Sequence, residues 1–192
     1  CLTMLVSNYV RRPGSINAIK EILSPLITEV IEKTDSLEVN PHKVYMELIN
    51  SYEQATGEKS GLSKNLSPDE ISSHPEVLAA QRKRLKVIES YVSRILMELE
   101  AKHGKVMYGI RYLTREVKVL ARKKWPSITT RQEGAMMGGV FFLRFITPII
   151  VTPDGNNVVS GKVSKVARKN LTLLAKVLQV RWRGDRLSTT AF

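Results

Sequence analysis

Apolar residues along this chain recur at intervals of three and four, the spacing that places them on one face of an α-helix. The pattern is clear at Leu23, Leu26, Ile27 and Val30. The longest stretch follows Pro75, with a seam close to heptad spacing at Leu78, Leu85, Ile88, Val92, Ile95, Leu96 and Leu99. The sequence contains no alternating strand pattern of useful length and no internal repeat. It therefore predicts an all-α fold, an irregular array of helices packed pairwise.

Local signals mark where several helices begin. Asn40 is predicted to cap a helix whose first turn holds Pro41. Ser67 is predicted to cap another, with Pro68 at the first helical position and Glu70 closing a capping box. These signals place helix starts near residues 41, 68 and 75.

The second half of the chain predicts two further amphipathic helices. The one that ends before Pro126 is expected to bury Ile110, Leu113, Val117 and Leu120. The last, over residues 162–179, is expected to bury Val166, Leu173, Leu174 and Val177. The helical period is lost beyond it, so we interpret 1–179 as one truncated domain and 180–192 as an atypical tail.

Between these two helices lies an apolar run, residues 138–153, with a single arginine in its middle. A helix from about Thr130 to Thr147 is expected here, apolar all round its centre and hence a buried central helix. Pro148 should make the chain kink or restart, and residues 154–157 should form a turn. A buried Arg144 would need a partner, so it is either paired with a core carboxylate or aimed at a site.

The length and composition of the chain bear on its completeness and on its cellular location. The chain has 192 residues and does not begin with Met, which indicates a piece of a longer protein. Cys1 is its only cysteine, so an internal disulfide is excluded and a cytosolic setting is expected. We identify no signal peptide, and no stretch is expected to span a membrane.

The net charge of +12 is unevenly distributed. Residues 1–80 are net acidic, whereas 81–124 and 155–192 are strongly basic. Such asymmetry suits an acidic partner, whether nucleic acid, anionic lipid or a protein surface, although basic helix faces can also be merely solvated.

The sequence lacks the motifs of a self-contained active site. His42, His74 and His103 are scattered in different segments, so no metal site is expected. There is no phosphate-binding loop, no dinucleotide-binding glycine motif and no nucleophile elbow. We therefore expect no cofactor, and a catalytic role would consist of completing another protein's site.

An ordered series of landmarks between residues 9 and 179 resembles the Ras GTPase-activating (RasGAP) domain, in particular its IQGAP-related branch. The landmarks are Asn17–Ile27, Leu37–Pro41, Glu53–Glu58, Leu66–Glu70, Tyr108–Tyr112, Phe142–Arg144 with Pro148 and Pro153, and Ala175–Gln179. The sequence departs from the usual family pattern at Thr147 and Ile149, and again after Gln179.

The resemblance implies a role for each residue of the signature. Family members insert an arginine finger beside the GTP phosphates, and the arginine of the signature, here Arg144, supports the finger loop by bonding its backbone. Phe142, Leu143 and Lys176 are implied at the GTPase-binding surface, while Pro148 and Pro153 complete the signature. The alternative for Phe142 and Leu143 is that they only pack in the core. The alternative for Lys176 is that it is only solvated.

The finger itself is expected outside this sequence. Matching Tyr9–Arg11 to the family places the finger loop just upstream of Cys1. Arg11 and Arg12 are possible substitutes, but are better explained as cations at a helix end whose dipole favours them.

The resemblance leaves two functions open. One is a GTPase activator acting on a Ras-type GTPase, which the Phe141–Arg144 form favours. The other is an IQGAP-type scaffold that binds Rho-family GTPases, such as Cdc42- or Rac-like proteins, without accelerating hydrolysis. Binding of nucleic acid or an anionic membrane is disfavoured, because aromatic residues do not interleave with the basic ones. A cytoplasmic location is implied, with recruitment to the inner face of the plasma membrane by the GTPase.

Overall fold

Helices account for the regular structure of the described part of the chain. The computed structural model describes residues 4, 8, 9, 12–33, 35–63 and 65–182. Over these ranges there is no strand, and the helices are α1 (Pro13–Glu32), α2 (Pro41–Thr56), α3 (Pro68–Ser73), α4 (Pro75–Ala101), α5 (Tyr108–Lys124), α6 (Thr130–Gly138), α7 (Thr147–Val151) and α8 (Lys165–Trp182). A 3₁₀ turn, His103–Lys105, follows α4, and a π-helical segment, Gly139–Ile146, joins α6 to α7. The predicted all-α class is confirmed.

The predicted capping residues set the helix starts. The side chain of Asn40 accepts a hydrogen bond from the Lys43 N–H at 3.2 Å. At α3, the Ser67 hydroxyl accepts the Glu70 N–H at 3.3 Å, and the Glu70 carboxylate accepts the Ser67 N–H at 2.8 Å. Each bond satisfies an N–H that has no partner inside its helix.

One large core joins α1 to α8, which are far apart in the sequence. Helices α1, α4 and α8 pack pairwise, and α7 packs against α8. Buried members of this core include Ile22, Leu23, Ile27, Val30, Ile88, Val92, Ile95, Phe145, Ile146, Ile149, Ile150, Leu174 and Val177. Two side chains that were predicted to be buried are not: Leu120 is 60% exposed and Val166 is 39% exposed. Both lie on helices whose apolar stripe is wider than the surface that covers it.

A smaller cluster supports the α2–α3 corner. It consists of Val44, Tyr45, Ile49, Ile71 and Val77, from α2, α3 and the start of α4. The Tyr45 hydroxyl donates to the Ser63 carbonyl at 2.8 Å, which fastens the loop before α3 to the cluster.

The run from Thr130 to Val151 is helical without a break, but its hydrogen-bond pattern changes before the proline. The Thr147 N–H donates to the Phe142 carbonyl, five residues earlier rather than four. Pro148 follows in the first turn of α7 and has no N–H to donate. The helix therefore widens before Pro148 rather than breaking and restarting there as was expected. The buried residues of this run are concentrated after Arg144, at Phe145, Ile146, Ile149 and Ile150.

The same run is the candidate for a membrane span in the described part of the chain. Thr130–Val151 is a 22-residue helix long and apolar enough to cross a bilayer by length and composition alone. Core helices satisfy the same test, and the C-terminal half of this one contributes four side chains to the main core. Length and composition alone are weak evidence for a membrane span, and the described part of the chain has no clear membrane-spanning segment.

Helices α5 and α6 form a hairpin held by an ion pair. The Arg122 guanidinium donates two hydrogen bonds to the Glu133 carboxylate, through Nε to Oε1 and through Nη2 to Oε2, the latter at 2.9 Å. Glu133 is buried and Arg122 is exposed. The hydrogen bond from Arg122 is the main cause that lowers the pKa of Glu133 below its usual value of 4.5, against the opposing effect of desolvation.

We expect this pair to make the stability of the protein depend on acid pH. A carboxylate whose pKa is lowered on folding stabilises the fold above its unfolded pKa, and this stabilisation is lost as pH falls through the folded value. Glu133→Gln should therefore be less stable than the wild type near neutral pH and show a flatter decline in unfolding free energy below about pH 4.5. Urea titrations at several pH values across that range measure the unfolding free energy of both proteins. Glu100→Gln, on the exposed side of α4, is the control, and parallel pH profiles for Glu133→Gln and the wild type would contradict the prediction.

Candidate functional site

Arg144 occupies the one strongly outward position in its part of the helix. Phe142 and Leu143 before it are half-buried, Phe145 after it is buried, and Arg144 itself is exposed. The expectation of a guanidinium buried in the core is wrong, because the π-helical turn directs this position away from the core that its neighbours fill. The side chain of Arg144 therefore lies at the surface of the domain.

Aromatic contacts hold the backbone around Arg144. The Phe141 ring meets Phe142 edge to face, with centroids 5.2 Å apart, and meets Phe145 at 5.5 Å. Phe145 is 1% exposed and fixes this cluster to the main core. Phe142 thus has a packing role, while both it and Leu143 keep part of their surface accessible.

The two signature prolines shape the end of the helix. The Pro148 carbonyl accepts hydrogen bonds from the Thr152 N–H at 3.1 Å, from the Thr152 hydroxyl at 2.8 Å and from the Asn156 amide at 3.2 Å. Pro153 is buried, and its carbonyl accepts the Val158 N–H at 2.8 Å. The predicted turn at 154–157 is present, closed by an Asn157 N–H to Asp154 carbonyl bond of 3.1 Å.

Arg168 on α8 fastens this turn to the rest of the fold. It donates to the Val151 carbonyl at 3.2 Å and to the Asp154 carboxylate at 2.7 Å. The hydrogen bond from Arg168 is the main cause that lowers the pKa of Asp154. A second link lies further along α8, where the Gln179 amide donates to the Thr147 hydroxyl at 3.1 Å. Lys176 lies three residues before Gln179, and Arg144 lies three residues before Thr147.

A basic groove of about 440 Å³ runs along α8. One wall is α8 and the other is the segment between α1 and α2; the lining residues are Ser36, Glu38, Lys43, Val163, Lys165, Arg168, Lys169, Asn170, Thr172, Leu173 and Lys176. Lys43 is paired with Glu38 at 3.0 Å, and Arg168 with Asp154. Within the described ranges, Lys165, Lys169 and Lys176 form no ion pair, so the groove has an excess of positive charge.

Three side chains fix the loop wall of this groove. Asn170 on α8 is 2% exposed; its carbonyl oxygen accepts the Leu37 N–H and its amide donates to the Asp35 carbonyl, both at 2.9 Å. From α4, Gln81 donates to the Val39 carbonyl and Arg84 to the Glu38 carbonyl, both at 2.7 Å. The wall is therefore rigidly placed although it has no regular secondary structure.

The predicted site residues fall in two neighbouring places. Lys176 is exposed and lines the basic groove, whereas the lining residues do not include Phe142, Leu143 or Arg144. Arg11 lies outside the described residues. Arg12 does lie at a helix end, but at the N-terminus of α1, where the dipole disfavours a cation. Its guanidinium instead lies over the Tyr9 ring, 5.4 Å from the centroid.

Sequence reasoning missed Asn170 and the contact between Tyr9 and Gly109. Asn170 could have been found as a polar residue on the apolar stripe of α8, between Ala167 and Leu174. Gly109 could have been noticed as a glycine inside the first turn of a helix, where it weakens the helix unless a close approach requires it.

The sequence model described as "GTPase-activator protein for Ras-like GTPase" matches residues 1–181. The chain therefore belongs to the RasGAP family.

Its relatives include proteins named as Ras GTPase-activating-like and as Ras GTPase-activating. The chain is 28% identical over 180 residues to the mouse Ras GTPase-activating-like protein IQGAP2 and 30% identical over 181 residues to the Dictyostelium discoideum Ras GTPase-activating-like protein gapA, each match covering 91% of this chain. It is 31% identical over 121 residues, or 63% of its length, to bovine Ras GTPase-activating protein 1. These matches span only 11%, 20% and 11% of the respective relatives.

Proposed function

We propose that this domain accelerates GTP hydrolysis by a Ras-type small GTPase. The observation that carries the proposal is the family match over residues 1–181, together with an outward-facing arginine in the family signature. Arg144 would hold the backbone of a loop that inserts an arginine finger beside the phosphates. Such a finger neutralises charge that develops during phosphoryl transfer, and for Ras itself it is known to contribute roughly 10³–10⁵ in rate.

The basic groove supports a small GTPase as partner. Lys165, Lys169 and Lys176 are unpaired cations on one wall, in the described part of the chain, and the opposite wall is held rigid by Asn170 and Gln81. A positive groove attracts an acidic surface at long range and speeds the encounter in a salt-dependent manner. We propose that the switch regions of the GTPase, which are acidic in the family's partners, bind along this groove.

The direct test is single-turnover GTP hydrolysis by a GTP-loaded Ras-type GTPase, with the full-length protein that contains this domain. The proposal expects acceleration of at least about 10³-fold over the GTPase alone. Lys176→Glu should slow association roughly tenfold at low salt and have less effect at high salt. Lys83→Glu, exposed on α4, is the matched control outside the groove. An unaccelerated rate would overturn the proposal.

A second candidate function is the non-catalytic scaffold. The observation that favours it is the relation to IQGAP2, which covers 91% of this chain. It expects tight binding to a GTP-loaded Cdc42- or Rac-like protein with unchanged or slowed hydrolysis. Running the binding and hydrolysis assays with both GTPase families in parallel separates the two candidates.

A further inference from the structure

The turn of the α5–α6 hairpin exposes a cluster of bulky apolar side chains. Of the ten large apolar side chains that are exposed in the described part of the chain, six belong to this hairpin. Residues 122–127, where α5 ends and the turn begins, are exposed at every position. We call the following group the tip patch: Val119, Leu120, Lys123, Lys124, Trp125 and Met136. The fold of the domain leaves its four apolar side chains in contact with water.

The members of the tip patch are neighbours in space. Trp125 and Met136 line one open cavity of about 530 Å³, together with Ser127, Ile128, Gln132 and Ala135. The Trp125 backbone is fixed on both sides, since its N–H donates to the Ala121 carbonyl at 2.8 Å and its carbonyl accepts the Ile128 N–H at 3.0 Å. None of the residues lining this cavity lines the basic groove along α8, so the tip patch is a separate surface.

Positive charge surrounds these apolar side chains. Residues 111–132 contain seven Lys or Arg residues and a single acidic residue, Glu116. The Lys124 amine lies over the Trp125 ring, 4.8 Å from its centroid. Lys123 follows Val119 by four residues, and Lys124 follows Leu120 by four, so each lysine shares a side of α5 with an exposed apolar residue. The tip patch is therefore complementary to a surface that is negatively charged outside and apolar beneath.

We propose that the tip patch docks on the anionic surface of a lipid bilayer. Tryptophan and lysine suit the interface, because each has an apolar body and a polar end, and the aliphatic side chains beside them enter the acyl boundary. A nucleic acid would match the cations and Trp125, but would leave Leu120 and Met136 in water. The sequence argument against a membrane was that aromatic residues do not interleave with basic ones, whereas Trp125 is in contact with Lys124. The contact is peripheral and does not depend on the proposed GTPase-activating function.

Co-sedimentation of the full-length protein with vesicles tests this docking. The vesicles contain phosphatidylcholine and phosphatidylserine in a ratio of about 2:1, or phosphatidylcholine alone. Lys123→Gln combined with Lys124→Gln should weaken binding to the anionic vesicles about 25-fold, because each cation near such a surface strengthens binding about fivefold. Trp125→Ala should weaken it about tenfold. The loss from Trp125→Ala should persist at high salt, whereas that from the lysine pair should shrink.

Matched controls lie on other helices. Lys83→Gln combined with Lys86→Gln removes two exposed lysines from α4, and Tyr52→Ala removes an exposed aromatic ring from α2. Both should bind vesicles as the wild type does. Urea midpoints equal to that of the wild type would show that the tip variants are folded.

Three results would overturn the inference. The first is unchanged vesicle binding in either tip variant, and the second is equal binding of the wild type to phosphatidylcholine alone. The third is a loss of binding to a DNA duplex, measured by anisotropy, while vesicle binding is retained, which would assign the tip patch to nucleic acid. Hydrolysis by a soluble GTPase without vesicles should be the same for the wild type and the tip variants. The proposed function and this inference can therefore fail separately.

Discussion

Replacing Arg144 by alanine is expected to reduce the acceleration of GTP hydrolysis by about 100-fold or more while leaving the fold nearly as stable as before. The two effects separate because Arg144 is exposed, although Phe145 beside it is buried. Removing an exposed side chain outside the core changes the unfolding free energy by about 0.5 kcal/mol or less. A guanidinium buried in the core would have given the opposite result, a large loss of stability.

Single-turnover hydrolysis and urea denaturation of the same variants measure both effects. Arg144→Lys should restore little of the rate, because an ammonium group cannot reproduce the planar fork of donors that holds a backbone. Arg82→Ala, an exposed arginine on α4, controls for the loss of one positive charge. A large loss of stability in Arg144→Ala, or full activity in that variant, would contradict the supporting role.

Asn170→Ala is expected to be the most destabilising of the polar substitutions, by about 3 kcal/mol. The change leaves the Leu37 N–H and the Asp35 carbonyl without their partner in a site where Asn170 is 2% exposed. Each buried polar group left unsatisfied costs about 1–3 kcal/mol. The loss should also loosen the wall of the basic groove and so weaken GTPase binding.

Equilibrium urea unfolding gives the stability change directly. Lys169→Ala, the exposed neighbour on α8, should stay within about 0.5 kcal/mol of the wild type. Asn170→Asp tests the two bonds separately, since it keeps an acceptor for the Leu37 N–H and removes the donor to the Asp35 carbonyl. A midpoint for Asn170→Ala equal to that of Lys169→Ala would show that the loop wall does not depend on this side chain.

The helix starts were predictable because their determinants are local. Asn40, Ser67 and Glu70 satisfy N–H groups within the same turn, so three or four residues of sequence contain the whole interaction. The change in the helix near Pro148 was predictable for the same reason, since the missing N–H is a property of that residue alone.

The resemblance to the family names Arg144 and Lys176 as site residues, and their roles stay predictions. Periodicity could not show that Arg144 is exposed, because a π-helical turn breaks the 3.6-residue phase on which that reasoning depends. Leu120 and Val166 fail for a related reason. Whether an apolar stripe is covered depends on its neighbours, which no local window contains.

Long-range contacts were beyond sequence reasoning altogether. Asn170 meets Leu37 across 133 residues, and Tyr9 meets Gly109 across 100. Each contact depends on the packing of helices that are distant in the chain, so its partners cannot be paired before the fold is known.

The π-helical segment Gly139–Ile146 changes the direction in which side chains point around the axis of one continuous helix. An α-helix advances about 100° per residue, so a turn that holds one extra residue offsets everything beyond it by about that angle. The face that α6 presents to α5 and the face that α7 presents to α8 are therefore not one stripe but two, rotated with respect to each other. The outward arginine lies where the rotation takes place, between a hairpin on one side and the domain core on the other.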